Sequence, residues 1–209
     1  MGALRGRGRM AIGLERAVGP VTAPVQPRAE GPLIVAAELD SVTGSWAAIV
    51  FWHSLEHLDA PAAALRRAVG VLRPGGLLVL ALPNADSLQA NWFGARWFAR
   101  DLPRHLTHIP APELVRWLRS EGMRVERVSY VRGGQWVFGW LAGLVGALSS
   151  RLDLYDAIRT PAARSRPLGI GGRLASLTAG LLLWPVALLL GLMEASLRRG
   201  GTVYIEARR

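Results

Sequence analysis

The stretch Ile49–Asn84, IVFWHSLEHLDAPAAALRRAVGVLRPGGLLVLALPN, decides how the chain is read, because strand, loop, helix, turn and strand follow one another within it. Residues 46–52 (WAAIVFW) and 77–82 (LLVLAL) are short, continuously apolar runs, the pattern of strands buried on both faces of a parallel sheet. Between them Asp59 stands where a helix cap is expected and Pro61 fits a first helical turn. Leu65, Val69 and Leu72 then recur at helical spacing until Arg73-Pro74-Gly75-Gly76 ends the helix. The crossover has the length and direction of a right-handed βαβ connection. Ligands of open parallel sheets gather beyond the carboxyl ends of the strands, so His53, Ser54, Glu56 and His57 lie at the expected ligand edge.

Outward from this unit the pattern continues in both directions. Toward the N-terminus, residues 1–8 read as the tail of a helix, and Met10–Leu14 reads as a strand closed by Glu15. The Pro-rich stretch from Gly19 to Pro32 reads as a loop around a weak strand. Toward the C-terminus, Arg124–Val131 and Thr202–Ala207 are predicted strands, with roughly seventy residues inserted between them.

Composition narrows the function classes. The chain has 209 residues, and 51% hydrophobic content is ample for a core, so one domain with an elaboration is expected. Cysteine is absent, which removes disulfides, thiolate metal sites and a cysteine nucleophile and fits a reducing cytoplasm. All 25 basic residues are arginine and the formal net charge is +10. The arginines are scattered without an interleaved aromatic platform, so no nucleic-acid partner is expected. Arg5, Arg7 and Arg9 are not followed by an apolar run of signal-peptide length.

HSLEHL, LRPGG, LPN and PRHLTH, in that order, resemble the segment after the fourth strand and the lid of class I, Rossmann-like S-adenosylmethionine-dependent methyltransferases of the small-molecule type. WFGARWFARDLPRHLTHIPAPELVRWLRSEGMRVERVSY is similar to their lid and sixth-strand region, and GGTVYIEARR to their last strand. The resemblance implies an α/β fold: a parallel sheet with an antiparallel last strand, incomplete at the N-terminus, carrying an apolar helical insertion before that strand. The family's first strand and Gly-rich turn, G-x-G-x-G, are not found here, and Trp46-Ala47 and Gly31-Pro32 stand where the family carries Phe-Asp and Gly-Asp. The chain is therefore read as N-terminally shortened, with weakened cofactor binding. The expected division is 1–133 for the methyltransferase domain, 134–200 for the insertion and 201–209 for the last strand.

The same resemblance implies site residues. Glu15 corresponds to the acidic residue that binds the cofactor's ribose; a solvated loop carboxylate is the other reading. Trp52, His53 and Glu56 would contact S-adenosylmethionine, with His53, and after it His105, as candidate catalytic bases. The alternative readings are a loop histidine satisfied by backbone for His53 and a residue that fixes the loop for His57. His57, Trp92, Trp97 and His108 would line the acceptor side, where core packing is the alternative for the tryptophans. His105 and His108 have a spacing that a metal pair can use on a helical turn. With no acidic residue or third histidine near them in sequence, no metal is expected.

The insertion holds two apolar segments, Trp136–Leu148 and Leu174–Met193, joined by an arginine-rich link from Ser149 to Arg173. The second has about twenty uncharged residues, enough to span a bilayer, with Pro185 inside it; the first is too short. Because the flanking strands belong to one sheet, both ends must lie on the same side of a membrane. Arg164, Arg166 and Arg173 before the long segment and Arg198 and Arg199 after it place both ends in the cytoplasm. A hairpin dipping into one leaflet at the inner membrane face is expected; helices packed on each other, on the sheet or in a dimer are the alternative. The functional expectation is methyl transfer to a small or lipid-linked acceptor. The competing readings are a degenerate, membrane-associated scaffold and a nicotinamide-dependent oxidoreductase, to which HSLEHL and LRPGG do not belong.

Overall fold

The computed structural model describes residues 12–15, 33–36, 42–132, 135–160 and 168–209. Among them, β1 (Ile12–Glu15) and β2 (Leu33–Ala36) pair in parallel as a two-stranded sheet. The main sheet holds β3 (Trp46–Trp52), β4 (Leu72–Pro83), β5 (Arg124–Ser129) and β6 (Thr202–Arg208) in the order β3-β4-β6-β5. β3 and β4 are parallel, whereas β6 runs antiparallel to both β4 and β5. The helices are α1 (Pro61–Val71), α2 (Leu88–Phe93), α3 (Ala111–Ser120), α4 (Gln135–Leu148), α5 (Leu154–Ile158) and α6 (Ile170–Ser196). The α/β class with an antiparallel last strand is thus present as expected from the sequence. The proposed N-terminal helix tail, residues 1–8, lies outside the described residues.

β4 is the spine of the domain. Leu78, Leu80 and Leu82 are buried on one face and Val79 and Ala81 on the other, which is why its sequence is apolar without alternation. α1 lays Leu65 and Ala68, and α3 lays Leu114 and Leu118, into the same core as the three leucines. Arg73–Gly76 bulges out of the ladder: Trp46 pairs with Leu72 but Ala48 with Leu77. Gly75 turns there at φ +71, and its N–H donates to the carbonyl of Arg209 at 2.9 Å.

Three expectations are corrected. β3 was read as buried on both faces, yet Val50 is 57% and Trp52 53% exposed. Among the described residues its sole hydrogen-bonded neighbour is β4, and the face that carries Val50 and Trp52 stays partly open to solvent while Phe51 on the other face is buried. The cap of α1 is Ala60 rather than Asp59, and no side chain caps it; Pro61, at the first position, removes one of the donors a cap would satisfy. The helix expected to include Leu72 ends at Val71, and Leu72 opens β4; the weak strand expected within 19–32 lies outside the described residues.

The inserted helices share a second core with the lid. Phe93 and Trp97 pack with Trp140 of α4 and Ala187 of α6. Glycines let these elements touch. A Cβ on Gly143 would strike the ring of Phe93, and one on Gly191 would come within 2.8 Å of Trp136. At the centre lies the Glu194 carboxylate, fully buried. It accepts from the Gln89 backbone N–H (2.8 Å), Gln89 Nε2 (2.9 Å), Trp140 Nε1 (2.8 Å) and the Gly201 N–H (3.2 Å). One side chain thereby ties α2, α4, α6 and the entry to β6.

Candidate functional site

The site grows from the carboxyl end of β3. His53 follows Trp52 and still donates its N–H to the carbonyl of Ala81 at 2.7 Å, but its φ of +48 turns the chain sharply out of the sheet. A non-glycine residue in the left-handed region is strained, and the surrounding structure must hold it there. The hold is visible: His53 Nδ1 lies 3.3 Å from Glu56 Oε1, and Glu56 sits in a short 3₁₀ turn, Leu55–His57, at 1% exposure. With a carboxylate oxygen as partner, Nδ1 is the protonated nitrogen and Nε2 carries the ring's lone pair.

The lid segment after α2 closes on this turn through the backbone. Leu106 and Thr107 both donate their N–H groups to the carbonyl of Glu56, at 2.8 and 3.2 Å. His57 Nδ1 donates to the carbonyl of Arg104 at 2.8 Å, and His105 Nδ1 to that of Ala99 at 2.6 Å. The His57 and His105 rings meet edge to face with centroids 4.8 Å apart. Arg104 turns its guanidinium to Asp101 and to the hydroxyl of Tyr155, and these bonds, the Tyr155 one first, raise its pKa further. The lid is thus linked to α5 of the insertion.

His105 and His108 do not share a helical turn. They lie in an irregular stretch with ring centroids 6.4 Å apart, and His108 Nε2 donates to the carbonyl of Arg100 at 2.9 Å. The fold gathers further groups around His105: Glu56 and His57 each bring a potential ligand atom within 4.8 Å of one on His105, and Asp101 Oδ2 lies 3.9 Å from His105 Nε2. Trp97 is buried, donating Nε1 to Gln89 Oε1 at 3.3 Å, and its ring lies 6.2 Å from His108. Trp92 is 75% exposed and meets the Trp140 ring edge to face. Trp52, half exposed, stands edge to face with both His53 and Tyr204. Glu15 is the last residue of β1, in register with Ala36 of β2.

Two buried polar residues escaped the sequence reading of the site. Asn84 follows the last residue of β4. Its Oδ1 accepts from Asp86 N and Ala111 N, and its Nδ2 donates to the Gly200 carbonyl, so it joins the starts of α2, α3 and β6 beside the ligand edge. Gln89, one turn on, was not singled out at all. Neither has a local signal beyond being polar in an apolar neighbourhood.

A family model described as "Methyltransferase domain" matches residues 6–128. Ubiquinone biosynthesis O-methyltransferase of Xanthomonas axonopodis pv. citri is 37% identical over 94 residues, 41% of this chain and 38% of that protein. Its counterpart in Xanthomonas oryzae pv. oryzae is 38% identical over 95 residues, 42% of this chain and 39% of that protein. The matched part therefore spans well under half the length of these curated relatives. A SAM-dependent methyltransferase from Archaeoglobus fulgidus superposes with a TM-score of 0.50 at 14% identity, covering 100% of this chain and 80% of that one, a likeness of fold alone.

Proposed function

Because the chain belongs to the methyltransferase-domain family, we propose that it transfers the methyl group of S-adenosylmethionine to a small or lipid-linked acceptor at the edge where β3 and β4 end. The observation that carries this reading is the strained His53, held at φ +48 and oriented by the buried Glu56 at the carboxyl end of a parallel strand. Strain of that kind concentrates at working sites.

The residues present fit the cofactor. Trp52 offers a half-exposed ring at the strand end, a surface on which a purine can lie, and Glu15 ends a parallel strand with a carboxylate able to accept from ribose hydroxyls. S-adenosylmethionine supplies an activated methyl on a sulfonium, so the protein's task is in-line positioning, exclusion of water and removal of a proton from the acceptor. His53 Nε2 takes that proton, with Glu56 holding the ring tautomer and stabilising the imidazolium that forms. The lid residues His57, His105, His108 and Trp97 bound the acceptor side, the histidines held by backbone carbonyls and Trp97 by Gln89 Oε1, so that their orientation is independent of substrate.

The insertion gives the acceptor its context. α4 is about 21 Å long, too short for a hydrocarbon core of about 30 Å. β6 returns between β4 and β5 immediately after α6, so both ends of the insertion stay at the sheet. Along α6, Ile170, Leu174, Leu181, Leu182 and Leu189 are each at least 60% exposed. A hairpin resting in one leaflet, with the sheet on the cytoplasmic side, covers that surface and brings a lipid-linked acceptor to the lid. The curated relatives are named as O-methyltransferases of ubiquinone biosynthesis, which is consistent with such an acceptor.

The test is transfer of labelled methyl from S-adenosylmethionine to phenolic acceptors with and without an isoprenoid tail, in liposomes, beside calorimetry of cofactor binding. Saturable binding that Glu15→Ala weakens by about 2–3 kcal/mol, the scale of hydrogen bonds to a charged group, supports the assignment. Cofactor binding without transfer to any acceptor would favour the degenerate scaffold; no binding at all would overturn both.

A further inference from the structure

Between the lid and the inserted helices lies a cavity of about 620 Å³ that the chemistry at His53 does not use. Arg96 and Arg100 stand on its lid wall, both exposed, and neither guanidinium has a hydrogen-bond or ion-pair partner among the described residues. The two carboxylates that also line it are engaged elsewhere: Asp101 pairs with Arg104, and Asp153 accepts the Asp156 N–H as the cap of α5. On the α4 side the lining is Ala142, Gly143 and Gly146, small residues that leave the space open. Two guanidinium forks on one concave wall suit the oxygens of a phosphate, which each can bind through paired N–H groups.

A second space adjoins the first and has the opposite character. It is a groove of about 310 Å³ whose lining is apolar throughout, including Phe138 and Leu141 of α4, Ile158 of α5, and Leu181 and Trp184 of α6. Three rings form the partition between the two: Phe98 and Tyr155 line the cavity, Phe138 lines the groove, and the Phe98 centroid lies 5.0 Å from Tyr155 and 5.1 Å from Phe138. Neighbouring residues of α5 divide likewise, with Leu154 in the groove and Tyr155 in the cavity. An arginine-bearing cavity beside an apolar groove is complementary to an anionic group at the end of a hydrocarbon chain, and a groove of this size takes one chain rather than the pair of a membrane phospholipid. The cavity also borders the acceptor side of the lid. Asp101 Oδ2 is 3.9 Å from His105 Nε2, and the Trp97 ring, another part of the lining, is 6.2 Å from that of His108.

We propose that the acceptor is a single-tailed lipid carrying a phosphate between its tail and the group to be methylated. Arg96 and Arg100 hold the phosphate, the groove holds the adjoining stretch of tail, and the headgroup extends past Asp101 and Trp97 toward His53. Leu181 belongs both to the groove and to the exposed apolar face of α6, so a tail enters from the leaflet without passing through water. This assignment rests on the methyl-transfer reading and narrows it, because a lipid without an anionic group leaves both arginines without a partner.

The experiment uses full-length protein in a neutral detergent and radiolabelled farnesyl phosphate as a stand-in for the tail and its phosphate. Farnesol, inorganic phosphate and phosphatidylglycerol serve as competitors. One saturable site per chain is expected, from which each competitor displaces the probe only at about 10-fold or more higher concentration than unlabelled farnesyl phosphate. Replacing both Arg96→Gln and Arg100→Gln, on exposed side chains with no partner to lose, should weaken the probe about 10-fold or more and remove its advantage over farnesol, with circular dichroism unchanged. Ile158→Ser, in the groove, should weaken farnesyl phosphate and farnesol alike. Farnesol binding as tightly as farnesyl phosphate, phosphatidylglycerol displacing the probe at equal concentration, affinity unaltered in the double arginine variant, or no saturable binding would each overturn the proposal. Because binding is read without S-adenosylmethionine, failure here leaves methyl transfer to a neutral acceptor standing. Absence of cofactor binding in a protein that still holds farnesyl phosphate would remove the methyl-transfer reading and leave the lipid-phosphate site.

Discussion

Removing the Glu194 carboxylate tests whether the inserted helices are part of the domain's core or an appendage. In Glu194→Ala the backbone N–H groups of Gln89 and Gly201 and the indole N–H of Trp140 lose the acceptor they share. Gln89 Nε2 can turn to the Trp136 carbonyl, already 3.5 Å away. Three stranded donors at about 1–3 kcal/mol each, relieved in part by water entering the space left behind, give an expected loss of about 4 kcal/mol. Glu194→Gln keeps the volume and one acceptor oxygen but turns an NH₂ group toward other donors, for a loss of about 2 kcal/mol. Urea unfolding in mild detergent, read by tryptophan fluorescence, converts these losses into midpoint shifts of about 2 M and 1 M at a slope of about 2 kcal/mol per M. Amide exchange at Gly201 and Gln89 should accelerate in both variants. If the alanine variant unfolds within about 1 kcal/mol of the natural protein, or if glutamine costs as much as alanine, the carboxylate is not the tie inferred here.

Further expectations follow from the packing and the site. Gly143→Ala drives a methyl group into the Phe93 ring and should cost about 1–3 kcal/mol by thermal unfolding, whereas Gly146→Ala, with open space around it, should be neutral or slightly stabilising. His53→Ala should lower kcat for methyl transfer by about 10²–10⁴-fold and change cofactor affinity much less, a split that single-turnover kinetics separates from binding. Liposomes containing anionic lipid should carry the protein down on sedimentation. Exchanging the 76%-exposed Leu181 and 73%-exposed Leu182 for glutamate should cut partitioning at least 100-fold, because each leucine contributes about 1.5–3 kcal/mol when buried in lipid. A protein that stays monomeric and soluble without lipid or detergent would show instead that the exposed face of α6 needs no cover.

What the sequence determined by itself was whatever one segment can specify alone. The apolar run of residues 46–52 is β3 to the residue, the helix begins at Pro61 as its proline requires, and the two apolar segments of the insertion are α4 and α6 extended by a few residues. The last strand was likewise legible, because buried runs and helical periodicity are local properties, whereas its antiparallel direction came from the family resemblance and its place between β4 and β5 from the structure. Tertiary structure alone decided the rest. One face of β3 leaves Val50 and Trp52 exposed among the described residues although their run reads as core. His57 meets the lid across 47 residues and Gln89 meets Glu194 across 105, so neither contact leaves a trace in spacing or composition. Glu56 is placed at the ligand edge by the sequence, which carries no sign that the lid folds over it. Its burial, the strain of His53 and the nearness of His105 are consequences of chain closure, which brings together groups whose chemistry no local pattern can pair.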